Sequence, residues 1–185
     1  DKGKHMRKKK IYIIIAVLLV LSIGYSIGVY RINSKFKQVK IKEIPLGVQY
    51  QVNNDIWMKV NGVMFLDKEE LEKTYEYRHE YEGEIIGILV ESTYLNKGDE
   101  KQIVTTYNNN IERTGYSNGI DPILFSRLNL CDLNFELDGG EEKDIVLTYI
   151  LMDFQFNNKR WENIENGGFY ISSSRYPIKT KWLLR

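Results

Sequence analysis

With one cysteine, Cys131, the chain cannot close an intramolecular disulfide, so its stability has to come from apolar burial. Histidine is almost as scarce: His5 and His79 are the two, and beside a lone cysteine they cannot assemble a zinc site of nitrogen and sulfur ligands. Three prolines against thirteen tyrosines and three tryptophans describe an ordered, β-prone chain and not a disordered stalk. Positive charge is missing where nucleic acid would require it. The formal net charge is +1, but residues 1–10 hold six Lys/Arg and one Asp, which leaves −4 on residues 11–185. Phosphate contacts need clustered Lys and Arg, so nucleic acid is set aside as a partner. Neither G-x-x-x-x-G-K nor G-x-G-x-x-G occurs, so nucleotide chemistry has no sequence support. Serine-hydrolase chemistry is not expected either, and no cofactor is implied.

What the chain does contain is a run free of charge, IYIIIAVLLVLSIGYSIGVY at residues 11–30, directly after Arg7-Lys8-Lys9-Lys10. At about 1.5 Å rise per residue, such a run spans the roughly 30 Å hydrocarbon core of a bilayer. Residues 1–6, DKGKHM, read as a tag or cloning remnant with Met6 as the native start. The basic cluster at 7–10 is expected in the cytoplasm by the positive-inside rule, which puts residues 31 onward outside. The flank RINSKFKQVKIK is itself basic, but it is less dense, and a long following domain translocates largely regardless of charge. A cleavable signal peptide has a shorter apolar region and a small-residue site, which Gly28-Val29-Tyr30 does not supply. Lipidation needs a cysteine directly after the apolar run, and Cys131 lies far downstream. An uncleaved anchor is therefore expected. Within it, Gly24 and Gly28 form a G-x-x-x-G, with Ser22 and Ser26 at the same spacing. Small residues four apart let two helices approach closely, although Gly is frequent in membrane helices generally.

Residues 31–44 read as a juxtamembrane linker and 45–185 as one extracytoplasmic domain. Alternation at residues 48–52 marks a first strand. Asn61-Gly62, between two apolar runs, suits a tight hairpin or a bulge. Asp67 with Glu70 three residues on caps a short helix, and Asp121-Pro122 opens a second over 123–129. Residues 85–90 and 144–152 are apolar on both faces and predict central strands covered on both sides. Asn96-Lys97-Gly98 turns the chain into a hairpin with residues 101–107, Asn108-Asn109-Asn110 and Gly115 to Gly119 read as a polar, flexible loop region, and Asp138-Gly139-Gly140-Glu141 is a turn. Two last strands fall near 167–171 and 178–184, with Tyr176-Pro177 bending the chain between them. Seven to nine strands with one or two short helices predict a mainly β fold, an antiparallel β-sandwich.

The stretch GILVESTYLNKGDEK at 87–101, and the turn Leu137-x-Gly139-Gly140-Glu141-Glu142-Lys143 running into DIVLTYIL, resemble small immunoglobulin-like, telokin-like extracytoplasmic families of Gram-positive bacteria whose function is unknown. The resemblance covers residues 45–185. It implies an Ig-like sandwich behind a membrane anchor or lipoprotein signal, with no activity and no functional residues attached.

Chemistry is sparse. A sortase-like cysteine transpeptidase would use Cys131 as nucleophile with His79 and an arginine such as Arg160. The T-L-x-T-C strand of such enzymes is missing, and Asp132, Glu136 and Asp138 nearby would suppress a thiolate. Asp138, Glu141, Glu142 and Asp144 lack the ordered spacing of a calcium loop, so no metal is expected. Tyr75, Tyr77 and Tyr81 form a candidate contact surface in the charged stretch 71–84; packing of the same rings against the sandwich is the competing reading. The expectation is thus a single-pass envelope protein that works by binding. Its partners would be the bilayer and another envelope protein, or a second copy through the membrane helix, met at sheet edges and the 108–120 loop.

Overall fold

The structure, a computed structural model, describes residues 2–35, 39–173 and 177–184, with side chains from residue 10 onward. Asp1 and the side chains of residues 2–9, which include His5, Met6 and most of the basic cluster, lie outside the described residues, as does Tyr176 of the Tyr176-Pro177 bend. The chain divides into two compact units, Asp1–Val39 and Lys40–Arg185.

The first unit is the helix α1 (Lys2–Lys35). Its segment Lys10–Lys35 contains an apolar window of 18 residues with a mean hydropathy of 2.4, none of it buried. It is long and apolar enough to cross a membrane, a test that a signal sequence also passes. The helix continues beyond residue 30 through Arg31 and Lys35, so the first part of the expected linker is helical.

In the second unit, eleven strands and three α-helices follow one another among the described residues: β1 (Lys40–Ile44), β2 (Gln49–Asn53), β3 (Ile56–Asp67), α2 (Lys68–Tyr75), β4 (Ile85–Asn96), β5 (Gln102–Thr105), β6 (Asn110–Arg113), β7 (Tyr116–Asn118), α3 (Pro122–Asn129), β8 (Asn134–Leu137), β9 (Glu142–Met152), α4 (Asn158–Trp161), β10 (Tyr170–Ser172) and β11 (Ile178–Leu183). They build a β-sandwich. One sheet has the order β1-β11-β10-β6-β7, the facing sheet β2-β3-β4-β9, and β5 pairs with β8 in a separate ladder. All these pairings are antiparallel except that of β1 with β11, which is parallel.

The two long apolar strands sit as their composition demands. Ile88, Val90 and Tyr94 of β4 and Ile145, Leu147, Tyr149 and Leu151 of β9 enter the core shared with Ile111, Ile171 and Trp182 of the other sheet. The alternate positions Leu89 and Ile150 face a second cluster with Leu71 of α2 and Leu124 of α3. Both faces are thereby covered, one by a sheet and one by helices.

Asn61-Gly62 resolves as a bulge and not as a hairpin: β3 runs through it, and its register against β4 shifts between Val60 and Gly62. Before the bulge Ile56, Met58 and Val60 point into the core, and after it Val63 and Phe65 do. The extra residue changes the phase of the alternation and keeps one long strand facing one core.

Two expectations change. β1 is a strand of the sandwich although its positions lie in the stretch read as linker; it is mostly exposed and gains its place from a partner far along the chain, β11. The hairpin of residues 96–107 does not form. β4 is already paired along its length with β3 on one side and β9 on the other, out to Ile56↔Asn96 and Leu95↔Glu142. With no free edge to return to, β5 pairs with β8 instead, Gln102↔Leu137 through Thr105↔Asn134. The buried Asn96 side chain holds this corner, donating from Nδ2 to the carbonyls of Glu100, Leu137 and Asp138 at 2.8, 3.1 and 3.0 Å.

Candidate functional site

The charged, aromatic stretch after β3 folds for local reasons. Asp67 accepts from the Glu70 amide at 2.8 Å while the Glu70 carboxylate accepts from the Asp67 amide at 2.9 Å, the reciprocal cap that starts α2. The helix stops at Glu76, which takes a left-handed conformation with φ 53°. Beyond it Tyr77 turns inward and is buried, its hydroxyl donating to Asp121 Oδ2 at 3.0 Å. Tyr75 is half-buried against the same cluster as Leu71. Tyr81 is half-buried and donates to Asp153 Oδ1 at 2.5 Å. The three rings of the candidate contact surface therefore do not share an exposed face; only Tyr81 lines an opening.

That opening is a cleft beside the end of the β4–β9 ladder, where Ile85 pairs with Met152. Two hollows of about 540 and 670 Å³ lie side by side, with Glu84, Asp153 and Trp161 lining both. Tyr81, Phe154, Phe156 and Trp161 form the aromatic wall. Tyr81 and Phe154 meet edge to face with centroids 5.3 Å apart, and Phe156 lies 6.0 Å from Trp161. The opposite side comes from the first turns of α2 and from Glu82, Gly83 and Glu84. A Cβ on Gly83 would come within 2.5 Å of the Tyr81 ring, so glycine there lets the backbone pass the aromatic wall.

Among the residues lining the cleft seven are Asp or Glu, and one, Lys68, is basic. Lys68 is committed to the wall itself, donating to the Tyr81 carbonyl at 2.5 Å. The Asp153 carboxylate takes the Tyr81 hydroxyl and the amides of Glu84 and Phe154, at 3.2 and 2.6 Å for the amides. Its hydrogen bond from Tyr81, with those from the two amides, holds its carboxyl below the usual range against a smaller opposing effect of burial, and the same tyrosine bond pushes the Tyr81 phenol up. A general acid would need the opposite shift at its carboxyl. The Trp161 indole N–H donates to Glu84. Among the described residues no serine, cysteine or histidine lines the cleft. The arrangement presents fixed negative charge and aromatic faces, which suits recognition better than bond breaking.

The residues of the alternative cysteine chemistry form no hydrogen bond with one another among the described residues. Cys131 is half-buried against the core, and burial, with the nearby Asp132, pushes its thiol up despite Lys143. His79 Nδ1 accepts from the Tyr81 amide at 3.1 Å, and Arg160 belongs to α4. Among the described residues no hydrogen bond joins Cys131 to either, and no three His, Cys, Asp or Glu side chains converge as metal ligands would. Asp138 lies 3.4 Å from Lys101 and Asp144 accepts from Thr93 at 2.7 Å, so these turn carboxylates have protein partners. Gly115-Tyr116-Ser117-Asn118-Gly119 matches G-x-S-x-G, as does Gly24-Tyr25-Ser26-Ile27-Gly28 in α1. Ser117 sits exposed on the three-residue β7, paired with Glu112, and not at a strand-to-helix elbow.

Much of the stretch read as a polar loop at 108–119 is the β6–β7 hairpin. Glu112 on it is buried and accepts from Ser172 at 2.6 Å, Tyr170 at 3.1 Å and Lys179. In α1, a Cβ at Gly24 or Gly28 would meet nothing within 4 Å, and the Ser26 hydroxyl donates back to the Ser22 carbonyl at 2.9 Å.

The profile of a domain of unknown function, DUF5028, matches residues 36–180. Among solved structures, a conserved hypothetical protein from Bacillus anthracis is similar with a TM-score of 0.50 at 15% identity, over 76% of this chain and 94% of that one. An uncharacterised β-sandwich protein from Clostridium difficile is similar with a TM-score of 0.49 at 12% identity, over 81% of this chain and 98% of that one. At 15% identity the likeness to the Bacillus anthracis protein speaks for the fold alone. No curated protein matches the chain.

Proposed function

The chain belongs to the DUF5028 family, and from that premise we propose a single-pass membrane protein whose Ig-like sandwich lies outside the cell and acts by binding an envelope protein. The observation that carries the binding reading is the cleft of Tyr81, Glu84, Asp153 and Trp161, which offers fixed negative charge and aromatic surface and, among the described residues, no serine, cysteine or histidine. The anchor reading draws on α1, whose segment Lys10–Lys35 is apolar with no buried face. Such a surface finds a favourable environment in lipid or against another membrane helix. The basic residues before it favour a cytoplasmic N-terminus.

Two measurements test this reading. Protease added to intact cells should digest the sandwich and spare a tag placed at the N-terminus; a sandwich that is protected until the membrane is opened overturns the orientation. The Cys131→Ala/His79→Ala double variant should keep partner capture and membrane placement. Loss of function in that variant, with folding intact, would overturn binding in favour of cysteine chemistry.

A further inference from the structure

We infer that the cleft takes an extended segment of a partner protein that carries lysine or arginine; the inference rests on the binding reading above. Charge complementarity is the first argument. Seven carboxylates face one amine, and that amine, Lys68, is tied to the wall. Among the described residues Glu82, Glu84 and Glu162 form no ion pair, and Glu72 meets only the exposed Arg78, at 3.0 Å. A cationic ligand supplies the missing countercharge, whereas an acidic partner is repelled.

Shape is the second argument. The two hollows lie side by side with Glu84, Asp153 and Trp161 in both walls, so together they offer an elongated surface and not one pit. An extended peptide alternates its side chains, which would place an apolar stem on the aromatic wall and a cationic head among the carboxylates. Phe154 is 67% exposed and has a free face for such a stem, and the Trp161 indole is a good seat for a guanidinium or ammonium. The wall is also held in advance. Asp153 fixes Tyr81 and Glu84 fixes Trp161, which lowers the ordering cost of binding. The carboxylates are spread along the groove, with no three converging on a point, so charge distributed along a segment matches them better than a single metal ion does.

The test uses the full chain in nanodiscs of zwitterionic lipid and two labelled peptides, one alternating lysine with leucine and one alternating glutamate with leucine. The lysine peptide should bind, weaken as salt is raised, and quench tryptophan emission; the glutamate peptide should not bind. Replacing Glu82, Glu84 and Glu162 together by Gln keeps side-chain size and should weaken the lysine peptide by about tenfold. Glu69→Lys, a single change on α2, should weaken it in the same direction, and Glu91→Gln with Glu136→Gln, away from the cleft, should leave it unchanged. Equal binding of the two peptides overturns the inference, as does a triple variant that is folded by circular dichroism and binds as tightly as the parent. Displacement of the lysine peptide by a neutral oligosaccharide also overturns it. If neither peptide binds while a partner is still captured from solubilised membranes, this inference falls and the binding reading stands.

Discussion

The side-chain amide of Asn129 pairs with the backbone of Val146 as a neighbouring strand would: its Oδ1 accepts from the Val146 amide at 2.7 Å and its Nδ2 donates to the Val146 carbonyl at 2.9 Å. β9 ends its sheet, so its outer side would otherwise offer unpaired backbone groups. Two further groups continue the cover along the same edge. The Asp121 amide donates to the Thr148 carbonyl at 2.8 Å and the Asn118 side chain to the Ile150 carbonyl at 2.9 Å. The segment from β7 through α3 thus closes β9 against strand addition with one contact at every second residue.

Asn129→Ala leaves a backbone donor and acceptor on β9 without partners and should cost about 1–3 kcal/mol. Asn129→Asp keeps the acceptor for the Val146 amide, loses the donor to its carbonyl, and should fall between. Urea unfolding gives the order of midpoints, and light scattering should show Asn129→Ala aggregating first. Equal midpoints for all three proteins would mean that water replaces the amide without loss.

The long apolar strands, both helix caps and the N-terminal apolar helix were legible because each is a local signal: an uninterrupted Ile/Leu/Val run, Asp67 with Glu70, Asp121 before Pro122. β1 was not legible because its residues, KIKEI, stay mostly exposed and owe their conformation to β11, far away in sequence. The failed hairpin has the same cause. Residues 96–107 carry good turn chemistry, but which edge is free depends on β9, some forty residues later. The cleft was half visible: Tyr81 and the acidic stretch could be read, while Asp153, Phe154 and Trp161 join them only through the pairing of Ile85 with Met152.

Leu71 and Gly87 should prove energetically coupled. Leu71 is fully buried, and a Cβ on Gly87 would come within 2.8 Å of its Cδ2. Leu71→Ala alone should cost about 2–5 kcal/mol by opening a cavity. Gly87→Ala alone should cost about 1–3 kcal/mol by overpacking. In the double variant the new methyl occupies space that the leucine vacated, so the combined loss should be smaller than the two added together. An additive cycle would show that the helix shifts away and that the two residues do not compete for one volume.

Cys131 should react slowly with iodoacetamide in the folded protein, by about tenfold relative to the unfolded chain, because the thiolate is the reactive form and burial pushes its formation to higher pH. Mass spectrometry at a series of times measures the ratio. A folded-state rate that matches or exceeds the unfolded one would revive Cys131 as a nucleophile.

Alkali should unfold the sandwich through its buried tyrosines. Desolvation by burial is the leading cause that raises the phenols of Tyr77, Tyr94, Tyr116 and Tyr149, with Asp121 adding to it at Tyr77. Tyr116 is pushed up to about 12, Tyr77 and Tyr94 higher still, and Tyr149 well above the usual tyrosine range. In the unfolded chain a tyrosine loses its proton near pH 10. Between that pH and the folded values the unfolded state has released protons that the folded state retains, so rising pH favours unfolding. The contribution of these residues is complete below about pH 10 and is lost progressively as pH climbs through 12 and beyond. Tyrosinate absorbance should therefore appear in two parts: a gradual one from exposed phenols, and a cooperative one that coincides with loss of the β-sheet circular dichroism signal. Tyr94→Phe removes one of the four titrating groups, together with its hydrogen bond from Asn109, and should raise the pH midpoint of unfolding while lowering stability at neutral pH. A single gradual titration, finished before the dichroism changes, would show these phenols in contact with water.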